Sequence, residues 1–523
     1  MAELDHASRY RILKARDRRF DGRIFVGVRT TGVYCRPICP ARTPRPESCV
    51  FFPSAAAAQD AGFRPCLRCR PERSPEVTFH GTASTVSRAV ALIADGALDI
   101  EGATVDQLAE RLGIGERQLR RLFDEHLGAS PLAVAVTRRV LFAKQLVQET
   151  RLPMVEVALA SGFGSVRRFN DAFQKLYGRP PRDLRRLATE AGRGGAAPRV
   201  TLRLGYRPPY DWESMVGFFA ARAVRGMEEV DGGTYRRVVS LGEAAGIVEV
   251  TQQPEASVLA VTIAFPDVRA LPAIVVRLRR MFDLAADVAT IEAELCREPR
   301  LAELVRARPG LRVPGAWDGF ELAVRAVLGQ QVSVPAARTL ASRLVEAHGR
   351  TLDGATKDGP LRRRFPRPED LRDASLEGVG LTRARAGTLR ALAARAATDP
   401  RLFEPAPSLD AAKRRFTEIP GIGEWTAEYV ALRALREADA FPATDVGLLR
   451  GATRAGESRL EADALARLAE PFRPFRAYVA QHLWAADAAR PSEKEDSHAP
   501  SRERSAPARR RRPVAARSAP ARL

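Results

Sequence analysis

Four cysteines set in two close pairs constrain this chain more than any other feature. Cys35-x3-Cys39 is followed by Cys66-x2-Cys69. Four thiolates so spaced suit one tetrahedral Zn2+ at about 2.3 Å per bond. Gly, Pro and Arg crowd the surrounding sequence, in GVYCRPICPART and FRPCLRCRPER. A small domain over residues 1–78 is expected, whose fold depends on something other than a large apolar core. Spacing alone leaves two readings open: a purely structural zinc ribbon and a reactive thiolate centre. Cys49 and Cys296 fall outside both pairs and read as ordinary cysteines, of the kind commonly buried. Six cysteines in 523 residues exclude a disulfide-dense secreted scaffold.

Downstream the hydrophobic period becomes helical, from about 80 to 188. In TVDQLAERLGIGERQLRRLFDEHL, Val105, Leu108, Ala109 and Leu112 share a face before Gly113, and Leu119, Leu122 and Phe123 share one after it. LPMVEVALASGFGSVRRFNDAFQKLYG repeats the plan, with Val155, Ala158 and Leu159 before Gly162 and Phe169 and Phe173 after it. Two amphipathic helices about a Gly turn, used twice, predict paired helix-turn-helix units. Gly178, Pro180 and Pro181 stop the last helix. A linker, AGRGGAAPR, spans 191–199. RRVVSL, GIVEVTQ and SVLAVTIAF then predict strands between about 200 and 270. Helical period returns from about 271 to 487. The stretch 491–523, with its run Arg509–Arg512, reads as a disordered basic tail.

The charge balance narrows the partners. Lys plus Arg number 84 against 63 Asp plus Glu, a formal net charge of +21. Such a surplus favours a polyanion, nucleic acid above all, over a merely solvated basic surface. The N-terminus has no apolar stretch of the secretory type, and no run of about 18 apolar residues offers a membrane span. A cytoplasmic, nucleoid-bound protein with no membrane partner is expected.

Three motifs carry family resemblances. FDGRIFVGVRTTGVYCRPICPAR and AAQDAGFRPCLRCRPE closely resemble the N-terminal domain of the Ada alkylation-response family. The resemblance implies that Cys35 accepts a methyl group from a DNA methylphosphotriester, with Cys39, Cys66 and Cys69 as the remaining zinc ligands. A zinc-bound thiolate stays deprotonated and nucleophilic. Methylating one sulfur takes the four-thiolate site from net −2 to −1, so affinity for phosphate should rise. The second helical pair, with ALASGFGSVRRFNDAFQKLYGRPPRDLR, resembles the AraC-type DNA-binding domain. Its second helices, about 115–125 and 165–176, would present Gln118, Arg120, Arg121, Ser165, Arg167, Arg168 and Asn170 to successive major grooves. Transcription control through RNA polymerase would follow.

The sharpest motif is EIPGIGEWTAEYVALRAL at 418–435. Pro420-Gly421-Ile422-Gly423 lies between two predicted helices. Gly421 and Gly423 let the backbone turn, and the next helix offers free N–H groups to a phosphate. With Asp445 following in FPATDVGLLR, the segment resembles the HhH-GPD family of DNA glycosylases, and Asp445 matches its catalytic aspartate. WDGFELAVRAVLGQQVSVPAARTLASRLVEAHG and FRPFRAYVAQHLWAADA point to the AlkA type, the 3-methyladenine DNA glycosylase II family. That resemblance implies base-binding aromatics at Trp425, Tyr429 and Trp484, and a wedge at Gln331 for the gap left by the flipped base. Gln stands where the best-known pattern has an apolar residue. Trp425 occupies the position of the Schiff-base lysine of bifunctional members, so a monofunctional enzyme is expected, with Lys413 a surface lysine. Glu424 is a local electrostatic cost beside a phosphate unless it faces solvent. No cysteine follows residue 446, so no iron–sulfur signature is present, and the Pro-Cys-His-Arg tetrapeptide of full-length Ada proteins is missing.

The expected architecture is multidomain and mostly α. A zinc domain (1–78) leads to an all-α AraC-type double helix-turn-helix (80–188). An α+β AlkA-like N-terminal domain (198–308) and an all-α HhH-GPD domain (309–490) follow, before the tail. The expected function is alkylation repair and response on double-stranded DNA, at damaged sites and promoters, with one Zn2+. Three rivals remain at this point: a regulator whose glycosylase half is inactive, a glycosylase for other lesions such as deaminated bases, and a Cys35 that is only structural.

Overall fold

The computed structural model describes residues 4–76, 84–99, 103–186, 199–356, 359–454 and 458–490. Nearly all of the 191–199 linker, and the 491–523 tail with Arg509–Arg512, lie outside the described residues. The chain is multidomain and mostly helical, as expected. Among the described residues no helix is long and apolar enough to cross a membrane.

Helix α1 (His6–Ala15) starts at Asp5, whose carboxylate accepts from the Ser8 amide at 2.8 Å. Strands β1 (Phe25–Val28), β2 (Val33–Cys35) and β3 (Cys49–Phe52) follow, then helix α2 (Ala55–Asp60) and strand β4 (Arg64–Pro65). The sheet order is β3-β1-β2-β4. β2 runs antiparallel to β1 and parallel to β4, with Tyr34 opposite Pro65. That register sets Cys35 at the end of one strand and Cys66 just past the other. The buried cluster here holds Leu13, Val26 and five cysteines, Cys49 among them. Apolar burial around the sulfurs is therefore small, and a second cluster, Phe25, Tyr34 and Ala58, packs apart from them.

Seven helices come next: α3 (Ser84–Ala94), α4 (Val105–Arg111), α5 (Glu116–Leu127), α6 (Pro131–Glu149), α7 (Met154–Ala160), α8 (Val166–Tyr177) and α9 (Pro181–Arg186). Thr104 and Gln107 form a capping box on α4. Gly113 and Gly162 make the two turns at φ +69° and +76°, where a side chain would be strained. Val105, Leu108, Ala109, Leu112, Leu119, Phe123, Phe169 and Phe173 are buried as the period predicts. Val155 and Leu159 are not: they are 55% and 45% exposed, and α7 buries Val157, Ala158 and Ala160 instead. Its partner is the turn Val268–Ala270, so the buried face is chosen by a distant segment. Pro181 ends nothing by itself; it opens α9.

Strand β5 (Arg199–Gly205), helix α10 (Trp212–Arg222) and strands β6 (Glu228–Asp231), β7 (Thr234–Leu241), β8 (Ala244–Gln253) and β9 (Val258–Ala264) form an antiparallel sheet of order β5-β9-β8-β7-β6. Helix α11 (Leu271–Met281) closes one face. The three sequence segments read as strands fall in β7, β8 and β9. Leu146, Val147, Phe169 and Phe173 share one apolar cluster with Leu202, Leu204, Val261, Ile263 and Ile274. The second helix-turn-helix unit and this sheet thus have a common core. Charged contacts add to it. Lys144 of α6, 0% exposed, donates to Glu72 at 2.6 Å and to the Cys66 carbonyl at 3.1 Å. Arg207 donates to the backbone carbonyls of Asp21, Glu76 and Ala285 at 3.0, 2.7 and 2.8 Å.

Helices α12 (Val288–Leu295), α13 (Pro299–Ala307), α14 (Gly319–Leu328), α15 (Val334–His348), α16 (Pro368–Leu371), α17 (Arg383–Thr398), α18 (Leu409–Thr417), α19 (Glu424–Arg433), α20 (Val446–Ala452), α21 (Ala462–Ala469) and α22 (Arg476–Ala488) complete the fold around the largest apolar cluster. Cys296, expected to be a buried thiol, caps α12 and is exposed. The first helix-turn-helix unit leans on this part. Arg88 donates to the Pro407 carbonyl at 2.8 Å, and Arg111 pairs with Glu404 at 2.8 Å.

Candidate active site and metal centre

The Pro-Gly-Ile-Gly turn joins α18 to α19, anchored by buried Ile419 and Ile422. Gly421 holds φ +86°, and a Cβ there would overlap the Thr388 hydroxyl. Both demands point to glycine. Gly421→Ala is expected to destabilise the hairpin by about 1–3 kcal/mol. A thermal melt and the affinity for an abasic-site duplex both report it. Gly423 is the N-cap of α19 and supplies no side-chain acceptor, so the first amides stay free for an anion. Glu424 does not oppose that anion: its exposed carboxylate accepts from Lys413 at 2.6 Å. Lys413 is accordingly no bare surface lysine. It ties α18 to α19 and lies 3.8 Å from Glu428 as well.

Along α19, Trp425, Tyr429 and Arg433 recur every four residues and share one face. Past the loop, Asp445 is the N-cap of α20, and its Oδ1 accepts from the Leu448 amide at 2.9 Å. Oδ1 also accepts from the indole of Trp484 at 2.9 Å, and Oδ2 from the indole of Trp425 at 2.8 Å. Trp425 and Tyr429 stack at 5.3 Å and 14°, and Trp484 meets Tyr429 edge-on at 6.1 Å. All three aromatics and Asp445 are half-buried. They line a cleft of about 2060 Å3 together with Gln331, Gly421 and Gly423. The sequence anticipated these residues in one place. It did not anticipate that both indoles hold the carboxylate.

Gln331 stands exposed at φ +56°, a left-handed backbone that is uncommon outside glycine. Its neighbour Gln330 fixes the loop. Gln330 donates to the Gly421 carbonyl at 3.2 Å and to Thr426 at 3.0 Å, and its own carbonyl accepts from Arg385 at 2.5 Å. Sequence reading missed Gln330, and it missed Phe218, Arg222 and Arg433, which also line the cleft. Arg433 carried a signal, eight residues beyond Trp425 on one helical face. Phe218 and Arg222 carried none, because α10 belongs to a remote stretch of chain.

At the other end of the molecule the sulfurs of Cys35, Cys39, Cys66 and Cys69 all lie within 4.8 Å of one another. Four soft donors gathered so closely fit one tetrahedral zinc. The Arg36 amide donates to the Cys69 sulfur at 3.3 Å, and the Arg36 side chain donates to the Cys69 carbonyl at 3.0 Å and to Asp21 at 2.8 Å. Cys49 stands beside this group but donates to the Arg45 carbonyl at 3.3 Å.

The predicted DNA-reading residues divide. Gln118, Arg121, Arg168 and Asn170 are exposed on α5 and α8, and the Arg167 side chain is 92% exposed. Arg120 is engaged by Glu116 one turn away, at 2.7 Å. Ser165 caps α8, accepting from the Arg168 amide at 3.2 Å, so its hydroxyl already has work in the fold.

Comparison with known proteins agrees with this layout. The chain matches the metal binding domain of Ada over residues 8–72, a helix-turn-helix domain over 108–187 and the AlkA N-terminal domain over 201–318. It is 41% identical to a probable bifunctional transcriptional activator/DNA repair enzyme AlkA of Mycobacterium tuberculosis, across 91% of this chain and 95% of that one. It is 34% identical to DNA-3-methyladenine glycosylase 2 of Escherichia coli, across 55% of this chain and 99% of that one. A match to the Ada protein of Escherichia coli, 34% identical, spans 24% of this chain and 34% of that one. With a zinc-binding Ada module, a helix-turn-helix unit and an AlkA-type glycosylase in one polypeptide, the chain belongs to the family of bifunctional transcriptional activator/DNA repair enzymes of the Ada–AlkA type.

Proposed function

We propose that the protein releases alkylated bases such as 3-methyladenine from DNA, with Asp445 as the catalytic carboxylate, and senses methylphosphotriesters through Cys35. The glycosylase reading is carried by one observation: Asp445 is fixed by three donors at an aromatic cleft beside the hairpin. A carboxylate oxygen offers about two acceptor sites. Oδ1 uses both of its sites, whereas Oδ2 uses one and keeps one for the substrate. An N-alkylated purine carries positive charge already. Once flipped against Trp425, Tyr429 and Trp484, it leaves with the electron pair of the C1′–N bond. Positive charge passes to the sugar, where the free site of Oδ2 stabilises it and orients water. Water adds to C1′ and loses a proton. Gln331, exposed on a backbone held by Gln330, fills the gap in the stack. Among the described residues no lysine lines the cleft with Asp445, and Lys413 is tied to Glu424, which supports a monofunctional hydrolase. Free 3-methyladenine released from methylated duplex DNA, without strand cleavage, is the expected result; release of none rejects the glycosylase reading.

In the sensor, bound zinc would keep the four thiols ionised at neutral pH. The Cys35 sulfur attacks the methyl carbon of the phosphotriester. An S–C bond forms, the C–O bond breaks, and its electron pair stays on the phosphate oxygen. One thiolate charge is lost, which lowers repulsion between this module and the DNA backbone. Exposure to methylated DNA is expected to add one CH2 to Cys35 alone, read by peptide mass spectrometry, and to tighten DNA binding. No adduct means a structural thiol. Exposed Gln118, Arg121, Arg167, Arg168 and Asn170 support promoter reading by α5 and α8, with RNA polymerase as the downstream partner and the cytoplasmic nucleoid as the site of action.

A further inference from the structure

Two of the arginines that line the cleft, Arg433 and Arg222, lie against its aromatic rings and have no part in the scheme above. Arg433 is 2% exposed. Its guanidinium carbon lies 4.9 Å from the ring centre of Trp484, 5.5 Å from Tyr429 and 4.6 Å from Phe218. It donates to the Pro314 carbonyl at 2.9 Å and to Gln481 at 3.1 Å, both neutral, and its Nε has no partner. Arg222, from α10, lies 4.0 Å from the Phe218 ring centre. Among the described residues neither guanidinium has a carboxylate within ion-pair distance. Burial lowers the Arg433 pKa to about 10, which leaves it charged at neutral pH. A buried cation without a counter-ion is costly, so its retention calls for a use.

The rings meant to receive the base therefore already face a resident cation. A ring polarised by one cation attracts a second less strongly, and a cationic lesion base is also repelled directly. A neutral base behaves differently. When its C1′–N bond breaks, the electron pair passes to the base nitrogen and negative charge grows there. Fixed positive charge behind the rings stabilises that change. Water then supplies hydroxide to C1′ and a proton to the departing base, so atoms and charge balance.

We propose that Arg433, assisted by Arg222, is a positioning residue for leaving-group selection: it favours departure of neutral lesion bases over cationic ones. The proposal rests on the glycosylase reading of the Asp445 cleft. Its test is the ratio of single-turnover release rates for hypoxanthine, a neutral base, and 7-methylguanine, a cationic one, measured with full-length protein. Arg433→Met is expected to lower the hypoxanthine-to-methylguanine ratio about 10-fold or more, with Arg433→Lys recovering much of it and Arg222→Met lowering it less. A ratio is insensitive to the fraction of protein that folds, so a destabilised variant still gives an answer. An unchanged ratio in both Met variants, or release of methylguanine alone by the unaltered protein, overturns the proposal and leaves the glycosylase reading standing. Release of neither base by the unaltered protein overturns the proposal, and it overturns the glycosylase reading as well when 3-methyladenine is not released either.

Discussion

Asp445→Asn is expected to leave the protein folded and DNA-bound while base release falls on the order of a thousandfold, about 4 kcal/mol in the barrier. The substitution is nearly isosteric, and Asn caps helices about as well as Asp. The amide oxygen can stay where Oδ1 is, accepting from Leu448 and Trp484. The amide nitrogen then faces the Trp425 indole, now donor against donor. The variant loses the negative charge and one of three hydrogen bonds, but little of the packing. Single-turnover release of 3-methyladenine, beside fluorescence anisotropy on an abasic-site duplex, separates catalysis from binding. Equal release by the variant removes Asp445 from the mechanism. Tight binding with no release by either form would identify a regulator with a retired glycosylase.

Removing the metal is expected to have the largest effect on structure. Around the cysteines the buried cluster offers only Leu13 and Val26 as aliphatic members. A structural zinc site contributes about 10–16 kcal/mol to folding in small domains, which that core cannot replace. A chelator, or Cys69→Ser, should therefore unfold β1–β4. The damage should also travel. Lys144 has no exposure and relies on Glu72 and the Cys66 carbonyl. Once those move, a buried ammonium is left alone, at roughly 3–5 kcal/mol. Hydrogen exchange should show faster exchange in α6 as well as in the zinc module, with α19 and α20 unaffected. Chelation that leaves α6 protected would show that the pair adds little. Metal analysis should give one zinc per chain.

The sequence made the cysteine quartet and the hairpin legible because both are local: each pair, and the Pro420–Gly423 turn, sits within a few residues. The arrangement at Asp445 was only half legible. Residue types announced a carboxylate and three aromatics, but nothing in a sequence says which edge of an indole faces which atom. Val155 and Leu159 misled because a seven-residue helix with apolar residues on two sides takes its buried face from its partner, here the turn Val268–Ala270. Phe218 and Arg222 were invisible for the same reason: α10 reaches the cleft from a different module.

The cluster that joins Leu146 and Phe173 to Leu202 and Ile263 has a consequence for ancestry. A gene fusion begins as two independent products with water-tolerant exteriors. Here that seam has become interior, so the reverse event is no longer simple. A recombination break near residue 190 would strip two apolar faces bare at once, and each fragment would need many replacements before it could circulate alone. Separating the regulator from the repair enzyme would then require resurfacing both.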